Sequence, residues 1–131
     1  MKGQELWQVA KGIIPGGNQL LSKRAEKFLP GGWPAYYERA KGCEVWDLDG
    51  RHYYDFAQMG VGSCILGYAD EDVNAAVIEV VQKGSMCTLN SPEEVALAKR
   101  LIALHPWAGM ARFARTGGEA CAVAVRIGRA A

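Results

Sequence analysis

The sequence lacks several features, and each absence narrows the field. There is no CxxC pair, and Cys43, Cys64, Cys87 and Cys121 lie far apart, without the His or Cys neighbours that a zinc site needs. No metal site is expected, and the four cysteines read as buried free thiols. No apolar run approaches membrane-spanning length, and Met1-Lys2-Gly3-Gln4-Glu5 leads into a mixed amphipathic stretch without the apolar region of a secretory signal. The expected setting is a reducing cytoplasm with no membrane partner. An excess of one charge is missing too. Fifteen Lys plus Arg against 14 Asp plus Glu give a net charge of +1, which leaves no phosphate-neutralising surface for a nucleic acid. What remains is folding material: 131 residues, 50% hydrophobic and 22% charged, are enough for one core and too apolar for a disordered chain.

Apolar residues recur at helical spacing from Gln4 to Ile14, through Leu6, Val9, Ala10 and Ile13, until Pro15-Gly16-Gly17 ends the run. An irregular arm follows, broken at Pro30-Gly31-Gly32, with Leu20, Leu21, Phe28 and Leu29 as candidate anchors. Three β-prone pieces come next, Tyr36 to Ala40, Cys43 to Asp47 and His52 to Phe56. They are separated by Lys41-Gly42 and Asp49-Gly50, which predicts a three-stranded antiparallel meander. Asp70 is placed to cap a helix whose apolar face is Val73, Ala76, Val77, Val80 and Val81. Ser91-Pro92-Glu93-Glu94 reads as a capping box that opens a second helix, with Val95, Ala98, Leu101, Ile102 and Leu104 on its buried side. Met110 to Ala114 reads as a short strand, and Gly117-Gly118 leads into a helix from Glu119 to Ala131. A strand, a glycine turn and a helix open an α/β unit whose second strand is missing, so the chain reads as the front part of something longer.

Between that strand and helix lies Arg115-Thr116-Gly117-Gly118-Glu119-Ala120, where free backbone N–H groups and the helix dipole converge on an anion. Two glycines let the main chain approach a phosphate, and Thr116 adds a hydroxyl donor. Each charge-assisted bond contributes on the order of 1.5–3 kcal/mol. Glu119 suits the helix dipole and is expected to turn away from the anion and brace the loop. His52 and His105 are far apart and lack a nucleophile or carboxylate arrangement, Trp33, Trp46 and Trp107 read as packing or interface aromatics, and Asp47, Asp49 and Asp55 read as turn and solvent residues. Many glycine turns serve only to reverse the chain, so the loop alone does not decide the function.

Four strings together carry more: Ile14-Pro15-Gly16-Gly17, Ala40-Lys41-Gly42-Cys43-Glu44-Val45-Trp46-Asp47-Leu48-Asp49-Gly50, Leu66-Gly67-Tyr68, and Thr116-Gly117-Gly118-Glu119-Ala120. In this order they resemble the N-terminal portion of class III aminotransferases, the fold-type I enzymes that use pyridoxal 5′-phosphate, and especially the glutamate semialdehyde aminomutase branch. The resemblance implies an α/β fold of the PLP-dependent transferase type: a helical arm and meander over residues 1–56, then the opening of the large cofactor domain over 57–131. It implies that Thr116, Gly117 and Gly118 bind the cofactor phosphate, with Gly118 standing where the family usually has threonine. Lys23 stands near the place of an arginine suited to a substrate carboxylate, but lysine lacks the bidentate fork. Tyr68 stands where histidine is common. Both departures turn the expectation from glutamate semialdehyde toward a related amino transfer. Ser63, in Met59-Gly60-Val61-Gly62-Ser63, falls in the family's substrate-pocket region.

By the same resemblance the lysine that forms the Schiff base lies downstream of this chain. No catalytic residue is therefore assigned to Lys2, Lys11, Lys23, Lys27, Lys41, Lys83 or Lys99, and the chain by itself is expected to be inactive. The full-length protein is expected to be a homodimer acting on a small amino or keto substrate. The alternative is a noncatalytic module that keeps the anion loop for dimerisation, regulation or binding a phosphorylated metabolite.

Overall fold

The computed structural model describes residues 1–131, in two units, Met1–Lys83 and Gly84–Ala131. Helix α1, Lys2–Ile13, forms over the first amphipathic run, but it buries Trp7 and Ala10 against Ala25, with Ile14, Ala35 and Tyr36 partly buried around them, while the expected Leu6, Val9 and Ile13 are exposed. Trp7, 6% exposed, is the one large side chain in this core. Its indole N–H donates to Glu26 Oε1 at 2.8 Å, and Lys11 Nζ lies 3.4 Å from the same oxygen. The Trp7 bond is the chief reason that the Glu26 carboxyl is held below its ordinary range. Gly17 sits under the ring at φ +82, where a Cβ would come within 2.6 Å of the indole. The expected anchors Leu20, Leu21, Phe28 and Leu29 are exposed instead. The short 3₁₀ turns Leu21–Lys23 and Ala25–Lys27 bring only Ala25 inward, and Phe28 stacks on Trp33 with ring centroids 4.3 Å apart.

The meander forms as predicted, with β1 Tyr37–Lys41, β2 Glu44–Asp47 and β3 His52–Tyr54 antiparallel in that order. Gly42 and Gly50 adopt positive φ at its two turns, the conformation glycine accepts most readily. Asp47 organises the second turn. It is 3% exposed, its Oδ1 accepts the N–H groups of Asp49 and Arg51, each at 2.9 Å, and its Oδ2 accepts the Tyr53 hydroxyl at 3.0 Å. Burial by itself pushes the Asp47 carboxyl up, but the bonds from Arg51, Tyr53 and Asp49 and the charge of Arg51 outweigh it and hold the group below its ordinary value. Asp47 is thus a turn residue as expected, but inside the fold and away from solvent.

Helix α2, Glu71–Lys83, starts where Asp70 Oδ1 accepts the Val73 N–H at 3.0 Å, as a capping side chain does. In the second unit, α3 spans Pro92–Leu104 with proline in its first turn. Ser91 does not cap the backbone there, because its hydroxyl bonds the Glu93 carboxylate instead. Residues 110–114 form no strand, since no other segment of the chain pairs with them. Helix α4 covers Gly117–Ala130.

The apolar faces are where the expected and observed burial diverge most. Val73, Val77, Val80 and Val81 of α2, Val95 and Leu104 of α3, and Ile127 of α4 are all exposed. So are Cys43, Cys87 and Cys121, while Cys64 is half-buried, which corrects the expectation of four buried thiols. The accessible surface is 10915 Å², whereas two free folded units of this size would expose roughly 8,000 Å². Periodicity put these residues on one side of each helix, but nothing in the chain covers them. No helix is long and apolar enough to cross a membrane, and no cluster of three or more His, Cys, Asp or Glu side chains is arranged to hold a metal ion.

Candidate functional site

The turn into α4 is built by its own sequence. Thr116 has extended backbone angles (φ −132, ψ 157), and its Oγ1 accepts the Glu119 N–H at 3.2 Å. Glu119 reaches backward, and its Oε2 accepts the Arg115 N–H at 2.9 Å. The pair forms a reciprocal cap, with the carboxylate returning one residue before the capping threonine. Glu119 therefore braces the loop, as expected, and its charge is tied to the main chain behind the turn.

This arrangement leaves the N–H groups of Gly117 and Gly118 without an acceptor in the protein, as the first positions of a helix must be unless something caps them. Both glycines are exposed, and a Cβ built on either would meet nothing within 4 Å. Thr116 uses a lone pair of its hydroxyl for the cap and keeps its proton to donate. The donor set is two bare amides, one hydroxyl and the positive end of a 14-residue helix. That set fits a phosphate group. Neither covering side chains nor internal bonds stand in the way.

The two expected substrate residues belong to the first unit. Lys23 ends the Leu21–Lys23 turn with its side chain exposed and outside any ion pair. Ser63 follows the 3₁₀ turn Met59–Gly62, and its hydroxyl donates to the Gly60 carbonyl at 2.6 Å. Within that turn Gly60 and Val61 have φ of 58 and 56, a left-handed conformation that is rare for a β-branched residue. No hydrogen bond joins Lys23 to Ser63. Of the five expected site residues, only Thr116, Gly117 and Gly118 form a contiguous donor group.

Two open grooves lie elsewhere. One of about 650 Å³ is lined by Lys41, Gly42, Glu44, Tyr68 and Glu71, and another of about 760 Å³ by Met110, Arg112, Val123, Arg126 and Ile127. Neither includes any expected site residue. The first unit also holds a bond that sequence reasoning missed. The Tyr68 hydroxyl donates to Asp55 Oδ2 at 2.6 Å, and the phenol is pushed up to about 12, first by that bond, then by burial and by the charge of Asp55. The thirteen-residue separation gives no local pattern that links the two.

Comparison with known proteins identifies the family. The family model for aminotransferase class-III matches residues 30–131, from the arm through all of α4. Over 124 residues the chain is 40% identical to a glutamate-1-semialdehyde 2,1-aminomutase of Thermus thermophilus, covering 94% of this chain and 28% of that protein. Over 129 residues it is 33% identical to the 3-aminobutyryl-CoA aminotransferase of Cloacimonas acidaminovorans (strain Evry), covering 98% of this chain and 31% of that one. Among solved structures, a transaminase with PLP bound superposes with a TM-score of 0.84 at 29% identity, over 98% of this chain and 29% of the other. The chain spans about three-tenths of the length of these relatives. Sequence and superposed backbone agree along nearly the whole chain, and the chain belongs to the class-III aminotransferase family.

Proposed function

We propose that this chain supplies the phosphate-holding turn of a pyridoxal 5′-phosphate-dependent aminotransferase or aminomutase. Thr116, Gly117 and Gly118 hold the phosphate, through the two glycine amides and the threonine hydroxyl. The observation that carries this is the pair of amides with no acceptor and no covering atom at the start of α4, inside a segment matched to the class-III family. Bound there, the cofactor would supply an electron sink for bond cleavage at an amine-bearing carbon. The chain's own part is to fix the anionic end of the cofactor, with Glu119 holding the loop in register from behind.

Lys23 would meet a substrate carboxylate as a point charge, and Ser63 would line the substrate side. The substrate is a small amino or keto compound. The catalytic lysine belongs to a longer protein of which this chain is the front part, and the uncovered faces of α2, α3 and α4 are covered by the rest of that protein or by a second copy in a homodimer. An excess of exposed surface of this size favours such a cover.

The test is phosphate-dependent binding. Equilibrium dialysis should show pyridoxal 5′-phosphate retained by the chain and displaced by inorganic phosphate, with pyridoxal retained far less. Backbone amide NMR should place the largest shifts at Gly117 and Gly118. Borohydride treatment should label no single lysine stoichiometrically. Equal retention of pyridoxal, or shifts confined to other residues, would refute the assignment.

A further inference from the structure

Residues 55–70 connect β3 to α2 without regular structure beyond the Met59–Gly62 turn, and a connection of this length needs something to hold it. Apolar burial does not: Phe56, Val61, Ile65 and Leu66 are all strongly exposed. Polar bonds close it at both ends. The Asp55 N–H donates to the Cys43 carbonyl at 2.7 Å, and Gly42 and Tyr68 exchange two backbone bonds, both at 2.8 Å. Gly67, at φ +93, permits that pairing, since a Cβ there would sit 3.1 Å from the Gly42 backbone.

The two ends then meet through side chains. Asp55 Oδ1 accepts the Ala57 N–H at 2.8 Å, and Asp55 Oδ2 accepts the Tyr68 hydroxyl at 2.6 Å. One carboxylate thus holds the first turn of the loop with one oxygen and its last residues with the other. Between these anchors lies the left-handed Gly60-Val61 step, which a valine keeps only where its surroundings hold it, and Ser63 follows it after Gly62.

We propose that Tyr68 and Asp55 are positioning residues: their side chains form a clasp that keeps the 56–67 loop closed and so sets the location of the Ser63 segment. The importance of Ser63 to a substrate rests on the function proposed above, but the clasp does not. Tyr68 is faced by Asp55, Cys64 and Tyr37, and the Asp55 carboxylate is the main reason its proton is held into the strongly alkaline range. The clasp therefore stays shut at neutral pH. Tyr68 also stands where the family resemblance places a histidine, a residue that can likewise donate to a carboxylate.

Amide hydrogen exchange on the chain tests this, comparing the parent with Tyr68→Phe and Tyr68→His. Tyr68→Phe keeps the ring and the backbone pairing with Gly42 and removes only the donor. Exchange across residues 56–67 should rise about tenfold, as expected for losing a hydrogen bond to a charged acceptor, while the amides of β1, β2 and α3 stay as they were. Tyr68→His should restore most of the protection. A near-ultraviolet titration should show one phenol ionising near 12, and this step should move down in Asp55→Asn. Unchanged exchange in Tyr68→Phe, or a titration indifferent to Asp55→Asn, overturns the clasp. If Tyr68→Phe unfolds the meander, the Asp55→Asn titration decides by itself. Cofactor dialysis on the same proteins keeps the two proposals apart: absent binding in the parent refutes the phosphate site, whatever the loop does.

Discussion

Gly118 offers the sharpest test of the proposal that the α4 turn holds an anion. It is the second residue of the helix and carries one of the two bare amides, but it contributes no side-chain donor. Gly118→Thr would add one. The backbone accepts the change without strain, because Gly118 is not among the residues at positive φ and its new Cβ would meet nothing within 4 Å. One extra hydrogen bond from a hydroxyl contributes about 1 kcal/mol, roughly a fivefold gain in affinity. Replacing glycine also stiffens the helix start by up to about 1 kcal/mol, and that gain is not specific to a ligand. Gly118→Ala provides the control, with the stiffening and without the hydroxyl. Equilibrium dialysis of pyridoxal 5′-phosphate and of inorganic phosphate should rank the affinities Thr above Ala, and Ala no weaker than the parent. If Gly118→Thr binds no tighter than Gly118→Ala for either ligand, the hydroxyl does not face the anion and the phosphate assignment at this turn fails.

Other changes probe the supports. Thr116→Ala removes the cap on Glu119 N–H and should destabilise the first turn of α4 by about 1 kcal/mol, read as faster amide exchange at Glu119 and weaker phosphate retention, whereas Thr116→Ser should preserve both. Gly17→Ala combines a left-handed backbone with a contact of 2.6 Å to the Trp7 ring, and a loss of about 2–4 kcal/mol is expected from the two together. Urea unfolding followed by tryptophan fluorescence would measure it. Asp47 titrates below its unfolded value, so its contribution is present above the ordinary carboxylate range and is lost as pH falls through the lowered folded value. Acid unfolding of the meander should accordingly lose much of its steepness in Asp47→Asn. Tyr68 works in the opposite sense. Its folded value is raised to about 12, so stability from the clasp is complete below the ordinary phenol range and is lost as pH climbs through the raised value, a loss that Tyr68→Phe should not show.

Local chemistry in the sequence was legible where neighbours along the chain decide the outcome. Asp49-Gly50 and Lys41-Gly42 mark the two turns of the meander, Asp70 caps α2, Pro92 begins α3, and Thr116 with Glu119 closes the start of α4. Burial was not legible, because a 3.6-residue period says which side of a helix is apolar and says nothing of what lies against it. Val77 and Val95 match the pattern and are exposed. Residues 110–114 show the same limit for strands, whose hydrogen bonds need a second segment. Long-range polar pairs are the other blind spot: Trp7 with Glu26 and Tyr68 with Asp55 meet across 19 and 13 residues. The capped, open turn at the start of α4 was readable as geometry from Thr116-Gly117-Gly118-Glu119, while Lys23 and Ser63 came only from family likeness.

A grip made of peptide groups has an evolutionary consequence. Gly117 and Gly118 present N–H groups that every residue except proline possesses, so replacing a side chain at this turn can alter the strength of the hold without abolishing it. On the function proposed above, variation in the Lys23 and Ser63 regions would redirect which compound is handled while the anchoring of the shared reagent endures.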